Sequence, residues 1–146
     1  MDPNYPVPAE NADSKPYWDA ARQGRLILKA CPACRKPHFP PRHLCPACWT
    51  PATEWINSSG NGCVYSFTIM RRAPLPEFAT RAPYVVALID LDEGPRMMAN
   101  IVGEDALGVR IGERVRVCFE TRKDGFAIPQ FVRDSNLAAV PHEDER

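Results

Sequence analysis

Four of the six cysteines stand in two identical pairs, Cys31-Pro-Ala-Cys34 and Cys45-Pro-Ala-Cys48, with ten residues between the pairs. Two residues between cysteines let a tight knuckle aim both thiolates at one ion, and two knuckles fill the four corners of a tetrahedral zinc site. The gap is shorter than the spacing of about fifteen to twenty residues of commoner four-cysteine sites, but it can run out and back as a compact hairpin. Cys31, Cys34, Cys45 and Cys48 are the expected ligands and zinc the expected metal. With a protein thiolate at every corner, no position stays open for water or substrate, so the site is structural. Binding should contribute on the order of ten kcal/mol to folding a segment too small for a core of its own. A rubredoxin-like iron centre uses the same ligands and is the alternative; ferric thiolate is red, zinc thiolate colourless.

Other reactive side chains are read more plainly. Cys63 and Cys118 fall within strand-like segments and are expected to be buried thiols. His38 and His43, between the knuckles, read as turn or surface residues, and His142 as a solvated residue of a charged tail. The chain has no glycine-rich phosphate loop, G-x-S-x-G elbow or H-E-x-x-H motif. Ser58 and Ser59 sit in a turn without an activating histidine nearby, and Asp90 and Asp92 are spaced like one face of a strand. The expectation is a protein without catalytic residues of its own. Arg71 and Arg72 close a long strand, and a proline-rich loop with Phe78 and Arg81 follows. They are either a solvated strand end or ligands for an anion such as phosphate.

These residues need a scaffold. Residues 1–13 read as a loose leader. Ser14 is placed to cap a short helix with Pro16 in its first turn and Gly24 at its end. So short a helix is unstable alone; Tyr17 and Trp18 must pack on the chain itself or on a partner. Strands are expected at 25–29 and 53–56, on either side of the metal loops. After the turn-rich hinge Asn57-Ser58-Ser59-Gly60-Asn61-Gly62, five more are expected at 63–70, 84–92, 96–102, 114–120 and 126–132. Residues 107–111 fit a helical turn or an extended link. Five β-segments without a long helix fit a small Greek-key barrel, the OB-fold. The divisions are a leader and helix (1–25), a ribbon (26–56), a barrel (57–140) and a charged tail (141–146).

The bulk composition agrees. The 146 residues carry 18 basic and 18 acidic side chains, so the formal charge is zero. A nucleic-acid binder usually shows a basic excess, which leaves a nucleic-acid-binding ribbon and barrel as the second reading. The 16 prolines, roughly twice the usual frequency of about 5%, favour extended segments and turns. There is no run of about eighteen apolar residues for a membrane span, and the polar, acidic start does not read as a signal peptide. The expected compartment is cytoplasmic, where thiols stay reduced and paired cysteines point to metal.

Taken together, Pro16-Tyr17-Trp18, Gly24-Arg25-Leu26, the two Cys-Pro-Ala-Cys knuckles, Phe39-Pro40-Pro41-Arg42, the stretch from Gly62 to Thr68, Arg72-Ala73-Pro74, the stretch from Pro83 to Leu88, Gly94-Pro95-Arg96 and Ile111-Gly112 occur in the order of a known family. Over roughly residues 14–133 the chain resembles the zinc-ribbon/OB-fold acyl-CoA-associated proteins. The resemblance implies a mostly β chain with a short N-terminal helical segment, a rubredoxin-like zinc ribbon and a C-terminal five-stranded OB-fold barrel. It also implies a small accessory subunit of thiolase-like enzymes, acyl-CoA hydratases or thiolase-fold aldolases, including those of steroid side-chain degradation. In that setting Tyr17 and Trp18 become candidates for docking the partner. Arg71, Arg72, Arg81 and Arg96, with Phe78, become candidates for holding acyl-CoA, chosen by chemical type. Arg35 departs from the family, which usually has glycine after the second cysteine to ease a positive-φ turn.

Overall fold

The strand from Tyr84 to Leu91 buries every second side chain (Val85, Ala87, Ile89 and Leu91), the alternation of a sheet with one face in the core. The computed structural model describes residues 5–134, so the expected tail at 141–146 and His142 lie outside the described residues. One helix, α1 (Lys15–Arg22), precedes a three-stranded ribbon, β1 (Ile27–Ala30), β2 (Pro37–His38) and β3 (Glu54–Asn57). The barrel strands are β4 (Asn61–Met70), β5 (Tyr84–Leu91), β6 (Arg96–Val102), β7 (Arg114–Thr121) and β8 (Ala127–Arg133).

The ribbon is antiparallel in the order β2-β1-β3, with Lys29 opposite both His38 and Trp55. The barrel closes in the order β4-β5-β6-β8-β7, and β7 returns to β4 at the Gly62–Val115 pair. This is the five-stranded OB-fold. Among the described residues its only parallel contact is between β6 and β8, at Ile101–Phe131 and Val102–Val132. Beyond it a side chain replaces backbone pairing: the Gln130 carboxamide accepts from the Asn100 backbone N–H at 2.8 Å and donates to Asn100 Oδ1 at 3.1 Å.

One apolar cluster joins the parts. Val64, Val85, Ile89, Ile101, Val115 and Phe131 fill the barrel, while Leu26, Ile27 and Leu28 of the ribbon and Tyr17 and Ala20 of α1 belong to the same cluster. The hinge is fastened at the surface by Glu93, which accepts from the Ser58 hydroxyl at 2.7 Å and the Ser59 N–H at 2.9 Å. Gly60 holds φ +79°, and a Cβ there would meet Val117 Cγ1, so glycine is required.

Several local expectations are corrected. Ser14 stands at the N-cap without capping the helix; its hydroxyl accepts from Asn11 N–H, and Asn11 Oδ1 accepts from Ser14 N–H, a reciprocal pair before the first turn. Gly24, at φ +74°, does end the helix, with Arg25 N–H donating back to Ala20. The leader is not loose where it is described: Tyr5 is buried and Pro6 is bonded to Arg122. The loop after Arg72 winds into a 3-10 helix, Pro76–Arg81, and residues 106–108 form another. His38 is buried in β2, and neither ring nitrogen has a hydrogen-bond partner among the described residues; burial holds its pKa below the usual value.

Because Phe131 is fully buried at the centre of this cluster, Phe131→Ala should cost about 3–5 kcal/mol. Urea unfolding should show that loss in one transition, because ribbon, helix and barrel share the core.

Candidate metal centre and ligand groove

The four knuckle sulfurs converge, every pair lying within 4.8 Å. Cys31 and Cys48 Sγ are 3.5 Å apart, and Cys34 and Cys45 Sγ are 3.6 Å apart. Thiolates held at about 2.3 Å around a tetrahedral zinc stand about 3.8 Å from one another, so the donor set fits the ion. Each knuckle closes by the same device. Arg35 N–H donates to the Cys31 carbonyl at 2.8 Å and Trp49 N–H to the Cys45 carbonyl at 2.9 Å. The residue after each second cysteine takes positive φ, Arg35 at 62° and Trp49 at 65°. The first knuckle thus takes the turn expected of glycine despite its arginine, and the second does so with tryptophan.

Backbone donors point at the first sulfur of each knuckle. Cys34 N–H points at Cys31 Sγ (3.4 Å) and Ala47 N–H at Cys45 Sγ (3.4 Å). The Cys34 N–H chiefly brings the Cys31 thiol down to about 6. The Thr50 hydroxyl, 3.1 Å from Cys48 Sγ, helps lower Cys48. The zinc these residues would hold completes the ribbon, since all four donors come from the chain. Cys63 and Cys118 lie elsewhere, partly buried, and burial pushes both thiols up.

A second feature is a groove of about 700 Å³ on the outer face of β5, β6 and β8, edged by the 3-10 helices at Pro76–Arg81 and Ala106–Gly108. That volume falls within the range of about 300–1,000 Å³ usual for small-molecule sites. The strand face supplies Val86, Met98 and Ile128, and Leu107 overhangs from the second 3-10 helix. Met98, 68% exposed, and Leu107, 47% exposed, leave this wall unusually apolar for a surface. The Asn100–Gln130 pair lines the groove as well, and Phe78, Arg81, Glu120 and Arg122 make up its charged end.

The candidate ligand residues divide. Phe78 and Arg81 line the groove; Arg71, Arg72 and Arg96 do not. Arg71 and Arg72 are exposed at the end of β4. Arg96 is on another face, paired with Asp90 at 2.6 Å and 3.4 Å from the centre of the Tyr65 ring. Asp92 is likewise committed, to a two-pronged contact with Arg114 at 2.7 Å for each bond. Arg81 itself grips Glu120 with both terminal nitrogens, at 3.0 and 2.8 Å, and the face of its guanidinium lies over the Tyr5 ring. Burial alone would raise the Glu120 pKa, but Arg81, with Arg122 beside it, holds the carboxyl below the usual value.

Tyr17 is corrected as a docking residue. It is buried within the chain, edge-on to Trp18 at 4.9 Å and tilted against Phe39 at 5.7 Å. Trp18 keeps part of its surface and meets Phe126 edge-to-face at 6.2 Å. The helix is therefore a clasp between ribbon and barrel. The prominent exposed aromatic is Trp49, 76% exposed at the second knuckle with Leu44 nearby in sequence. Sequence reasoning passed over Trp49, although its place after Cys48, matching Arg35 after Cys34, was a visible signal. Arg122 and Tyr5 had none.

Comparison with known proteins follows the same two-part division. Residues 18–54 match the family model for the ChsH2 rubredoxin-like zinc ribbon domain, and residues 55–120 match that for the ChsH2 C-terminal OB-fold domain. A protein of Thermomonospora curvata described as a "Probable enoyl-CoA hydratase alpha subunit" is 34% identical over 95% of this chain. The chain spans 41% of that relative's length. A protein of Methanocaldococcus jannaschii described as a DUF35 domain-containing scaffold protein is 38% identical over 68% of this chain and 70% of its own. Among solved structures, a chain of one described as Ltp2-ChsH2(DUF35) aldolase superposes with a TM-score of 0.76 at 34% identity, covering 87% of this chain and 98% of that one.

Two outcomes are expected. Cys34→Ser should abolish stoichiometric zinc, measured by metal analysis of the colourless protein, and should lower stability by several kcal/mol. The Glu120 pair contributes stability above the usual carboxylate pKa and loses it as pH falls through the lowered folded value. The melting-temperature advantage of wild type over Glu120→Gln should therefore be present at neutral pH and shrink steadily in acid.

Proposed function

We propose that this chain, which belongs to the ChsH2 family of zinc-ribbon and OB-fold proteins, is a non-catalytic accessory subunit of a thiolase-fold enzyme. The partner would be a thiolase or aldolase acting on acyl-CoA, in steroid or other lipid degradation, and the reduced thiols of the cytoplasm suit the site. The observation that carries this reading is the likeness, across both domains, to a chain of an aldolase assembly. The relatives' descriptions as scaffold protein and hydratase alpha subunit support the same class of role.

The residues suggest how the parts would divide the work. The metal-held second knuckle offers Trp49 to the enzyme on a rigid turn, a large aromatic anchor of the kind that dominates interfaces. The groove receives the acyl-CoA, with Val86, Met98, Leu107 and Ile128 against its apolar length. The arginine-rich end takes the nucleotide. Each group binds or orients; the bond-making residues belong to the partner.

Co-expression with a thiolase-fold enzyme encoded beside it should yield one complex, and the chain alone should not turn over acyl-CoA. Trp49→Ala should lower the affinity for that enzyme by about 2 kcal/mol or more without changing zinc content, as measured by interferometry. Recovery of the two proteins only as separate species, or thioester turnover by this chain alone, would overturn the assignment.

A further inference from the structure

At the charged end of the groove a side chain of the protein itself lies among the ligand residues. Tyr5 is buried, and its ring stacks on Phe78 with centroids 5.0 Å apart and planes 7° from parallel. The Arg81 guanidinium lies over the Tyr5 ring at 4.1 Å, and that of Arg122 at 5.4 Å. Arg122 also donates to the Pro6 carbonyl oxygen at 2.7 Å. These contacts accept a flat π-system from an aromatic and a guanidinium face, and an oxygen acceptor from a second guanidinium. The ring contacts are not particular to a phenol, and the phenol oxygen adds a contact of its own with Arg81.

We propose that this slot is the adenine subsite of the groove, and that residues 5–10 occupy it in place of ligand, Tyr5 standing for the base and the Pro6 carbonyl for a phosphate oxygen. The inference rests on the acyl-CoA reading above and adds where the nucleotide sits and what it must displace. Three observations carry it. Phe78, Arg81 and Arg122 line both the slot and the groove, so the two are continuous. Glu120 holds the edge of Arg81 with two bonds, fixing the guanidinium as a stacking surface that outlasts the removal of Tyr5. Tyr5, although buried, is not a member of the apolar cluster that unites ribbon, helix and barrel. Beyond the Tyr5 contacts, polar ties of the segment are Pro6 to Arg122 and a 3.7 Å contact of Glu10 with Arg22, and Val7 and Pro8 are half-buried. It can lift without disturbing the core.

The test is titration calorimetry on the full zinc-loaded chain with 3′,5′-ADP and with 4′-phosphopantetheine, which lacks the base. Tyr5→Ala should bind 3′,5′-ADP roughly three- to tenfold tighter, the worth of an aromatic stack with its cation. Phe78→Ala should bind it weaker by a similar factor, and phosphopantetheine affinity should change with neither. In the wild type, saturating 3′,5′-ADP should move the Tyr5 ring-proton resonances to the positions of a free tyrosine, a readout independent of how the variants fold. If CoA binds while 3′,5′-ADP affinity ignores Tyr5→Ala and Phe78→Ala, the base sits elsewhere; the inference falls and the acyl-CoA reading stands. If CoA, 3′,5′-ADP and phosphopantetheine all fail to bind wild type and Tyr5→Ala, both fall together.

Discussion

The arrangement depends on four sulfurs brought close together by a ribbon with almost no interior. Its strands are four, two and four residues long, too short to exclude water from a core between them. The apolar residues it does have, Leu26, Ile27 and Leu28, belong to the cluster shared with the barrel. What remains to hold the knuckles together is metal–thiolate bonding. Without an ion, sulfurs within 4.8 Å of one another oppose each other as soon as they ionise, and the donors aimed at Cys31 favour ionisation. The same donors that would unsettle an empty cluster ready it for a divalent cation.

That constraint reaches the surface through backbone geometry. The turn that points the second cysteine of each pair at the ion forces the next residue to positive φ. Arg35 and Trp49 carry a steric cost that glycine would avoid, and metal binding holds both in place. In return the second knuckle displays an indole outward on a turn that cannot relax while the ion is bound. A large aromatic with few internal partners on a rigid turn is costly for a solitary protein and useful for one that meets another.

What was legible in the sequence follows the range of the signal. The cysteine spacing, the helix stop at Gly24, the hinge and the barrel strands are local patterns, and each appears within a residue or two of its expected place. The expected capping role of Ser14 failed because Asn11, a residue with equal claim to the backbone, captured its hydroxyl. The ligand residues were chosen by type, and type does not say which arginine has a carboxylate partner. Arg96 finds Asp90 across the β5–β6 hairpin, whereas Arg81 finds Glu120 at 39 residues' separation and Arg122 finds Pro6 at 116. Contacts of that span arise from barrel closure and from the N-terminal segment packing on the barrel, and they leave no periodic trace in the chain.

The zero net charge acquires a meaning from those pairs. Lone arginines along the groove would attract any polyanion, nucleic acid included, through phosphate neutralisation that ignores shape. Here Glu120 offsets half the charge of Arg81 and Arg122 while keeping their planar groups in place. A guanidinium paired along its edge still stacks on a π-face, because dispersion and quadrupole attraction do not require an uncompensated charge. A site of this kind would favour a flat ring with an acceptor beside it over charge alone. Modest, shape-dependent affinity would suit the accessory role proposed above, since a ligand held too tightly at one end would leave a shared complex slowly.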